Sequence, residues 1–273
     1  VHGDTRLLDS PEKWIGKNLE EIVNYRLNLV RGIQKTGIED TGSRFVESLH
    51  ELAMSSGSID SEVKFLKNMN IDNTNIAFAF HAPIYQKDMD VFYIEFFKEF
   101  IGSGITSLLM EELREKQQWI YNVQLDNYTN PYGTFLIIEI ATKNKHIRNV
   151  VEGTLKILKK LATGKFKETY LEYVKKAYMV EHYETCLNNS YLSSFYGEQY
   201  INQLYNVDEQ PKILSFSQVA DSILKLSKIN FVMFIKKLLI FSNMKVAYQG
   251  KKEEPNLKSL VLRNIDTISR RAN

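Results

Sequence analysis

The sequence predicts an α+β fold: a mostly antiparallel sheet with helices packed on one face, preceded by a helical segment. Short apolar runs bounded by turn residues indicate strands, and long stretches with three- and four-residue apolar spacing indicate helices. The strands and helices do not alternate strictly, as a parallel β-α-β sheet would require. The chain has 273 residues, 44% hydrophobic and 25% charged, enough for one large domain with a helical appendage.

The first 70 residues are predicted to be a helical segment that continues from a preceding domain. Ser10-Pro11-Glu12 is typical of a helix start, because a capping hydroxyl precedes proline at the first helical position. Apolar side chains then recur at helical spacing over residues 11–34. Two shorter helices are expected at about residues 45–55 and 59–66.

The main α/β domain is predicted to span residues 71–252, followed by a tail over residues 253–273. Four strands are expected, at Ile76–Phe80, Trp119–Leu125, Thr134–Ala141 and Met244–Gln249. Helical stretches are expected at residues 88–116 with an interruption at Gly102-Ser103-Gly104, at 144–162, at 166–204 as two helices, and at 215–240. The tail is expected to hold one short helix after Pro255.

The composition of the chain limits which classes of partner and which cellular compartment are expected. Lys and Arg number 35 and Asp and Glu 33, so a net charge of +2 gives no electrostatic case for nucleic acid. No apolar run approaches the roughly 18–20 residues of a membrane span. The single cysteine, Cys186, cannot form an intrachain disulfide, which favours a reducing compartment: the cytoplasm, or a mitochondrial or other organelle matrix. Val1–Arg6 lacks an initiator Met and the features of a signal peptide, so we expect the chain to be processed or cut from a longer one.

The histidines do not predict a catalytic metal in this chain. The five are His2, His50, His81, His146 and His182, and none lies in H-x-x-E-H or H-E-x-x-H. His182 stands among glutamates on a predicted helix, but a hydrolytic zinc needs about three converging protein ligands. We expect His182 to be an ordinary surface group.

The most informative stretch runs from Ile101 to Tyr121. A glycine-rich helix start precedes Leu113-Arg114-Glu115-Lys116, and Tyr121 lies seven residues after Arg114. This pattern resembles the signature of the second half of the insulinase/pitrilysin zinc metallopeptidases. Neighbouring stretches resemble the family in the same order, over roughly residues 74–250 with a weaker extension to the N-terminus. They are Val1–Asp4, Thr74–Ala77, Tyr132–Glu139 and Gly197–Asp208.

The resemblance implies a role for two side chains. In this family two halves close around a peptide substrate, and the first half holds Zn²⁺ in an inverted H-x-x-E-H motif. The second half supplies an Arg and a Tyr that hold the substrate and the tetrahedral oxyanion; here these would be Arg114 and Tyr121. A guanidinium offers a rigid fork of donors, and a phenol can donate to developing negative charge. The implied partners are a zinc-bearing N-terminal half, from the same precursor or a separate subunit, and a peptide substrate.

Ordinary structural interpretations of the same residues stay open. Arg114 is close in sequence to three glutamates, as expected of ion pairs on a solvated helix face, and Tyr121 could be a half-buried strand residue. The family usually has a glycine shortly before the Tyr, and here Gln117–Ile120 occupies that stretch, so the resemblance does not fix the turn. The alternative function is that of a non-catalytic peptidase homologue acting as a binding or assembly subunit.

Overall fold

A computed structural model describes residues 62–71, 73–85, 89–103, 107–130, 133–204 and 213–269. The helices expected at residues 11–34 and 45–55 lie outside this part. No helix in the described ranges is both long and apolar enough to cross a membrane.

The described part is built on a mixed five-stranded sheet. Its strands are β1 (Glu62–Lys67), β2 (Thr74–Ala82), β3 (Ile120–Asn130), β4 (Gly133–Thr142) and β5 (Lys245–Gly250). Their order across the sheet is β1-β5-β2-β4-β3, with β1 parallel to β5 and the other neighbours antiparallel. The predicted α+β class and all four predicted strands are confirmed.

The first strand corrects the sequence prediction. Residues 59–66 were expected to be helical, but Glu62–Lys67 is β1. Val63 and Phe65 are in register with Val246 and Tyr248, and the rings of Phe65 and Tyr248 lie 5.0 Å apart. A short apolar run does not by itself distinguish a strand from a helix. Here the segment is a strand because it pairs with β5, which lies far along the chain.

Seven α-helices are present among the described residues: α1 (Asp90–Lys98), α2 (Ile147–Ala162), α3 (Glu168–Cys186), α4 (Asn189–Leu204), α5 (Phe216–Leu224), α6 (Lys228–Leu238) and α7 (Leu257–Ser269). The predicted stretch 215–240 is two helices, because Ser215 and Ser227 each cap a new start. The helix expected in the tail is α7, and its Leu257 and Val261 are buried in the core.

Two π-helical segments lie between α1 and β3. Glu99–Ser103 continues α1, and Met110–Glu115 precedes the turn into β3. Phe100, in the first of these, packs with ring centroids 5.0 Å from Phe231 and 5.3 Å from Phe166. These contacts hold the segment against α6 and the loop before α3.

The core lies between the sheet and the helices. One set of alternating strand side chains faces the helices and is almost completely buried: Ile76, Phe78, Phe80, Leu136, Ile138, Ile140, Val246 and Tyr248. Both β1 and α7 lie outside the predicted span of 71–252, yet both contribute to this domain. The division of the chain at residues 70 and 252 is otherwise still a prediction.

Candidate functional site

Arg114 lies on the second π-helical segment with its side chain 49% exposed. The ion pairs expected on this face are made instead by Lys116, whose Nζ lies 2.8 Å from Glu111 and 2.6 Å from Glu112. The pKa of Lys116 is raised because its ammonium donates hydrogen bonds to these two carboxylates. Within the described ranges, the one ion pair of Arg114 is a 3.9 Å contact with Glu115. Its guanidinium is therefore largely uncommitted.

Tyr121 occupies a β-bulge at the start of β3. Ile120 is opposite Thr142 and Asn122 is opposite Ala141, so Tyr121 is the extra residue between two consecutive pairs. The side chain is 43% exposed, and Lys143 Nζ lies 5.8 Å from the ring centroid. The hydroxyl makes no hydrogen bond to any residue that the structure describes. A bulge re-aims a side chain, which explains why Tyr121 departs from the in-and-out alternation of the strand.

One tight turn joins Arg114 to Tyr121. The amide of Gln118 donates to the carbonyl of Arg114, and the amide of Trp119 donates to the carbonyl of Leu113, both at 2.9 Å. Gln118 has φ +55°, the left-handed conformation that glycine adopts at low cost. The glycine that the family usually has shortly before the Tyr is absent, and Gln118 is the left-handed residue of this turn.

Residues from other elements hold this turn in place. The Thr142 hydroxyl on β4 donates to the carbonyl of Trp119 at 2.5 Å. Gly153 on α2 lets the turn approach closely, since a Cβ there would lie 2.7 Å from Leu113 Cδ2 and 3.5 Å from Trp119 Cζ3. Leu113 and Ile120 are buried while the residue that follows each of them is exposed. The two candidate side chains thus project from a fixed backbone.

Sequence reasoning selected Arg114 and Tyr121 as candidates, but it missed the residues that hold the turn between them. Thr142 and Lys143 carry no local signal, because their contacts with the turn depend on β3–β4 pairing. Gly153 did give a signal: an isolated glycine inside a helix usually has a packing reason.

The family of this chain is established by comparison with known proteins. Residues 18–178, more than half of the chain, match the family model described as the peptidase M16 inactive domain. The chain belongs to this family. The resemblance to the non-zinc half of insulinase-type peptidases is thereby confirmed at the family level. No curated protein sequence matches this M16 chain.

Solved structures share the fold of the M16 chain at low sequence identity. An M16 inactive domain from Pseudomonas fluorescens has a TM-score of 0.60 at 14% identity, covering 71% of this chain and 44% of that one. A protease from Helicobacter pylori has a TM-score of 0.58 at 13% identity, covering 71% and 45%. A chain of complex III2 from Candida albicans has a TM-score of 0.57 at 10% identity, covering 76% and 49%. This M16 chain therefore spans less than half the length of these structures.

In the described ranges of the M16 chain, no three His, Cys, Asp or Glu side chains converge as potential metal ligands. The expectation that His182 is a surface group is wrong. It is 5% exposed, and its ring stacks on Phe216 with centroids 3.5 Å apart and on Tyr178 at 5.5 Å. Burial lowers the pKa of His182 in spite of a backbone hydrogen bond at Phe216. The imidazole is thus a neutral part of the core, which sequence could not show because the stacking partner lies on α5.

Proposed function

We propose that this chain is the closing, non-zinc half of a zinc-dependent M16 endopeptidase. In the assembled enzyme a second half with an H-x-x-E-H motif binds Zn²⁺, and that metal supplies the activated water for peptide hydrolysis. Two facts support the proposal: the chain is an M16 inactive domain, and it spans less than half of its structural relatives. The partner half belongs to the same precursor or to a separate subunit.

One structural observation supports the roles proposed for Arg114 and Tyr121. Both have polar ends without a strong partner among the described residues, and both project from a turn fixed by hydrogen bonds and close packing. Surface ion pairs usually occupy such groups, and here Lys116 takes the two nearby glutamates instead. Rigidly held and uncommitted donors are what oxyanion stabilisation requires, because they need no reorganisation when charge develops.

In this arrangement the two side chains act on different parts of the peptide. The planar fork of Arg114 donates to a substrate carbonyl and fixes the position of the peptide. The Tyr121 hydroxyl donates to the oxyanion that forms as water adds to the scissile carbonyl. The Lys143 ammonium lies 5.8 Å from the centroid of the Tyr121 ring. Its positive charge would help to stabilise the negative charge that develops on the oxyanion.

The experiment is a paired measurement of turnover and melting temperature after the chain is assembled with its zinc-bearing half. Native mass spectrometry of the purified assembly first reports the partner and the zinc together. Tyr121→Phe removes one hydroxyl, so kcat should fall on the order of 10²–10³-fold with little change in stability. Tyr128→Phe is the matched control, because Tyr128 is a similarly exposed tyrosine on the same strand, and it should leave kcat unchanged.

The arginine is tested in the same way. Arg114→Lys keeps the charge and loses the planar fork, so kcat/KM should fall while the melting temperature does not. Arg148→Lys is its control, since Arg148 is a half-exposed helix arginine near Glu152. Wild-type turnover in both Tyr121→Phe and Arg114→Lys would end the proposed roles.

The second candidate is a non-catalytic binding or assembly subunit. It is favoured by the description of the matched family model as an inactive domain and by the fold shared with a chain of complex III2 from Candida albicans. The discriminating observation is the partner. A half with an intact H-x-x-E-H motif supports the peptidase, whereas copurification only with subunits that lack this motif supports the assembly role.

A further inference from the structure

Helix α3 has an apolar stripe on its outer face. Its buried side chains lie on the face toward the core and are Leu171, Val174, Lys175, Met179 and His182. On the opposite face Tyr173, Val180 and Leu187 are 53%, 60% and 82% exposed. They are spaced seven residues apart, so they lie in one line along the helix, and Ala177 lies between the first two. These four residues are called the α3 stripe below.

The length of the α3 stripe distinguishes it from ordinary apolar residues on a surface. Single exposed apolar side chains are common on proteins, whereas a continuous apolar surface usually marks an interface. From Tyr173 to Leu187 the stripe runs about 21 Å, which is about four turns of helix. None of the described elements covers it, as the exposed fractions show. The stripe therefore has the position and the shape of a docking surface for another helix.

The charges beside the α3 stripe indicate what docks there. Lys176 lies four residues before Val180 and Glu184 lies four residues after it, and both are exposed. Neither forms an ion pair with another residue that the structure describes. When two copies of α3 pack in opposite directions about a two-fold axis at Val180, each residue lies level with the one equally far beyond Val180 in the other copy. Lys176 then lies level with Glu184 of the second copy, and the symmetry makes this pair twice.

The apolar residues match in the same alignment. Tyr173 lies level with Leu187 of the second copy, and the two Val180 side chains meet at the axis. A parallel alignment in register would instead place Lys176 beside Lys176 and Glu184 beside Glu184, and like charges brought together in this way oppose association. The α3 stripe is therefore complementary to itself when the two helices run antiparallel.

We propose that the α3 stripe is a self-association surface, on which α3 of a second copy of this chain packs antiparallel about a two-fold axis at Val180. The stripe shares no residue with the turn that carries Arg114 and Tyr121, so the inference does not depend on the proposed function. One pair of helices buries less area than a stable dimer interface usually does. The association is therefore reversible and depends on the concentration of the chain.

Disulfide formation in the full 273-residue chain tests the alignment, in a Cys186→Ser background. Val180→Cys places a thiol at the axis, where the thiols of two copies meet, so oxidation by copper phenanthroline should yield a covalent dimer. Tyr173→Cys is the matched control: it is exposed on the same helix but lies about 21 Å from its counterpart in the second copy, beyond the reach of a disulfide. Its dimer should form at least about tenfold more slowly. A mixture of Tyr173→Cys and Leu187→Cys chains should cross-link to each other.

Reversal of the two charges tests the identity of the partner. Lys176→Glu places two carboxylates level with each other on both sides of the axis, so the dissociation constant of the dimer, measured by sedimentation equilibrium, should rise about tenfold. Glu184→Lys should raise it similarly, and the double variant Lys176→Glu/Glu184→Lys should restore the wild-type constant. Lys156→Glu is the control, because it makes the same change in net charge at an exposed position on α2 and should leave the constant unchanged.

Three results would each overturn the proposal: a chain that stays monomeric up to the hundred-micromolar range, equal cross-linking of Val180→Cys and Tyr173→Cys, and a double charge variant that does not recover. Addition of the zinc-bearing half provides a further test. Loss of Val180→Cys cross-linking in that assembly would assign the stripe to the other half and reject a second copy, whereas persistence would support the proposal. None of these measurements depends on kcat, so they are separate from the kinetics of Tyr121→Phe.

Discussion

Gln118 adopts a conformation that its side chain does not favour. A residue with a Cβ in the left-handed region costs roughly 1–2 kcal/mol more than glycine there. The turn between Arg114 and Tyr121 requires this conformation, because the nested hydrogen bonds to the carbonyls of Leu113 and Arg114 close around it. The position thus preserves the geometry at some expense of stability.

Gln118→Gly should therefore stabilise the protein. The relief of strain exceeds the larger backbone entropy of glycine in the unfolded chain, so the free energy of unfolding should rise by about 0.5–1 kcal/mol. Gln117→Gly is the control: its backbone is not in the left-handed region, and the change should lower the free energy of unfolding by a similar amount. Denaturant titration of both variants measures the difference, and a loss of stability in Gln118→Gly would contradict this account of the turn.

The resemblance to the insulinase family singled out Arg114 and Tyr121 as candidates, and their seven-residue separation could be recognised because it is a local feature of the sequence. The hydroxyl of Thr142 and the small side chain of Gly153 act on the same turn from a strand and a helix that follow it. Their roles arise only when the sheet forms and α2 packs on it, so no pattern within the turn could reveal them.

Among the elements, the π-helical segment Glu99–Ser103 lies close against the sheet at Gly102. A Cβ at Gly102 would overlap Leu125 Cδ1 and lie 3.1 Å from Val123 Cγ1 on β3. Leu125 is buried on a sheet strand and cannot move aside freely. The glycine is therefore required by packing rather than by its φ angle.

Gly102→Ala should lower the free energy of unfolding by about 1–3 kcal/mol, the usual cost of overpacking a core. Gly197→Ala is the matched control, because Gly197 lies in α4 and a Cβ there would meet no atom of another element within 4 Å. Alanine at that position should raise helix stability by up to about 1 kcal/mol. Thermal unfolding of the two variants should shift in opposite directions. Equal shifts would mean that the π-helical segment yields to the added methyl group.

The strands and helices also show which sequence patterns are sufficient to predict secondary structure. Strand β2 was predictable as an apolar run bounded by turn residues, and β3 and β4 were predictable as strand-like stretches joined by a turn-rich connection. β1 was not, because its alternation extends over few residues and its partner β5 is distant in sequence. The break between α5 and α6 was missed because apolar residues continue through it, although Ser227 caps the second helix.

On the scale of the whole molecule, His182 links stability to pH. Burial lowers the pKa of His182, so the folded chain keeps the imidazole neutral, while the unfolded chain binds a proton below about pH 6.5. The unfolded state then holds more protons, and stability should fall as the pH drops through that range. Its Nε2 atom has no hydrogen-bond partner among the described residues, so a proton there would also be poorly solvated.

The difference in melting temperature between about pH 7.5 and about pH 5.5 should therefore be smaller in His182→Phe than in the wild type. Phenylalanine keeps a ring that can stack on Phe216 and removes the titrating group. His81→Phe, which replaces an exposed ring, should keep the wild-type difference. An unchanged difference in His182→Phe would exclude this residue as the source of the acid sensitivity.

The parallel pairing of β1 with β5 has a consequence for synthesis on the ribosome. Lys67, the last residue of β1, is made 178 residues before Lys245, the first residue of β5 (245 − 67 = 178). At about 5–20 residues per second, the wait is on the order of 10–40 s. Among the described strands, β5 is the one that separates β1 from β2, so until it emerges β1 has no neighbour and one edge of β2 is open. A nascent chain that stalls before Lys245 would expose the apolar strand Thr74–Ala82, making it a candidate for chaperone binding or aggregation.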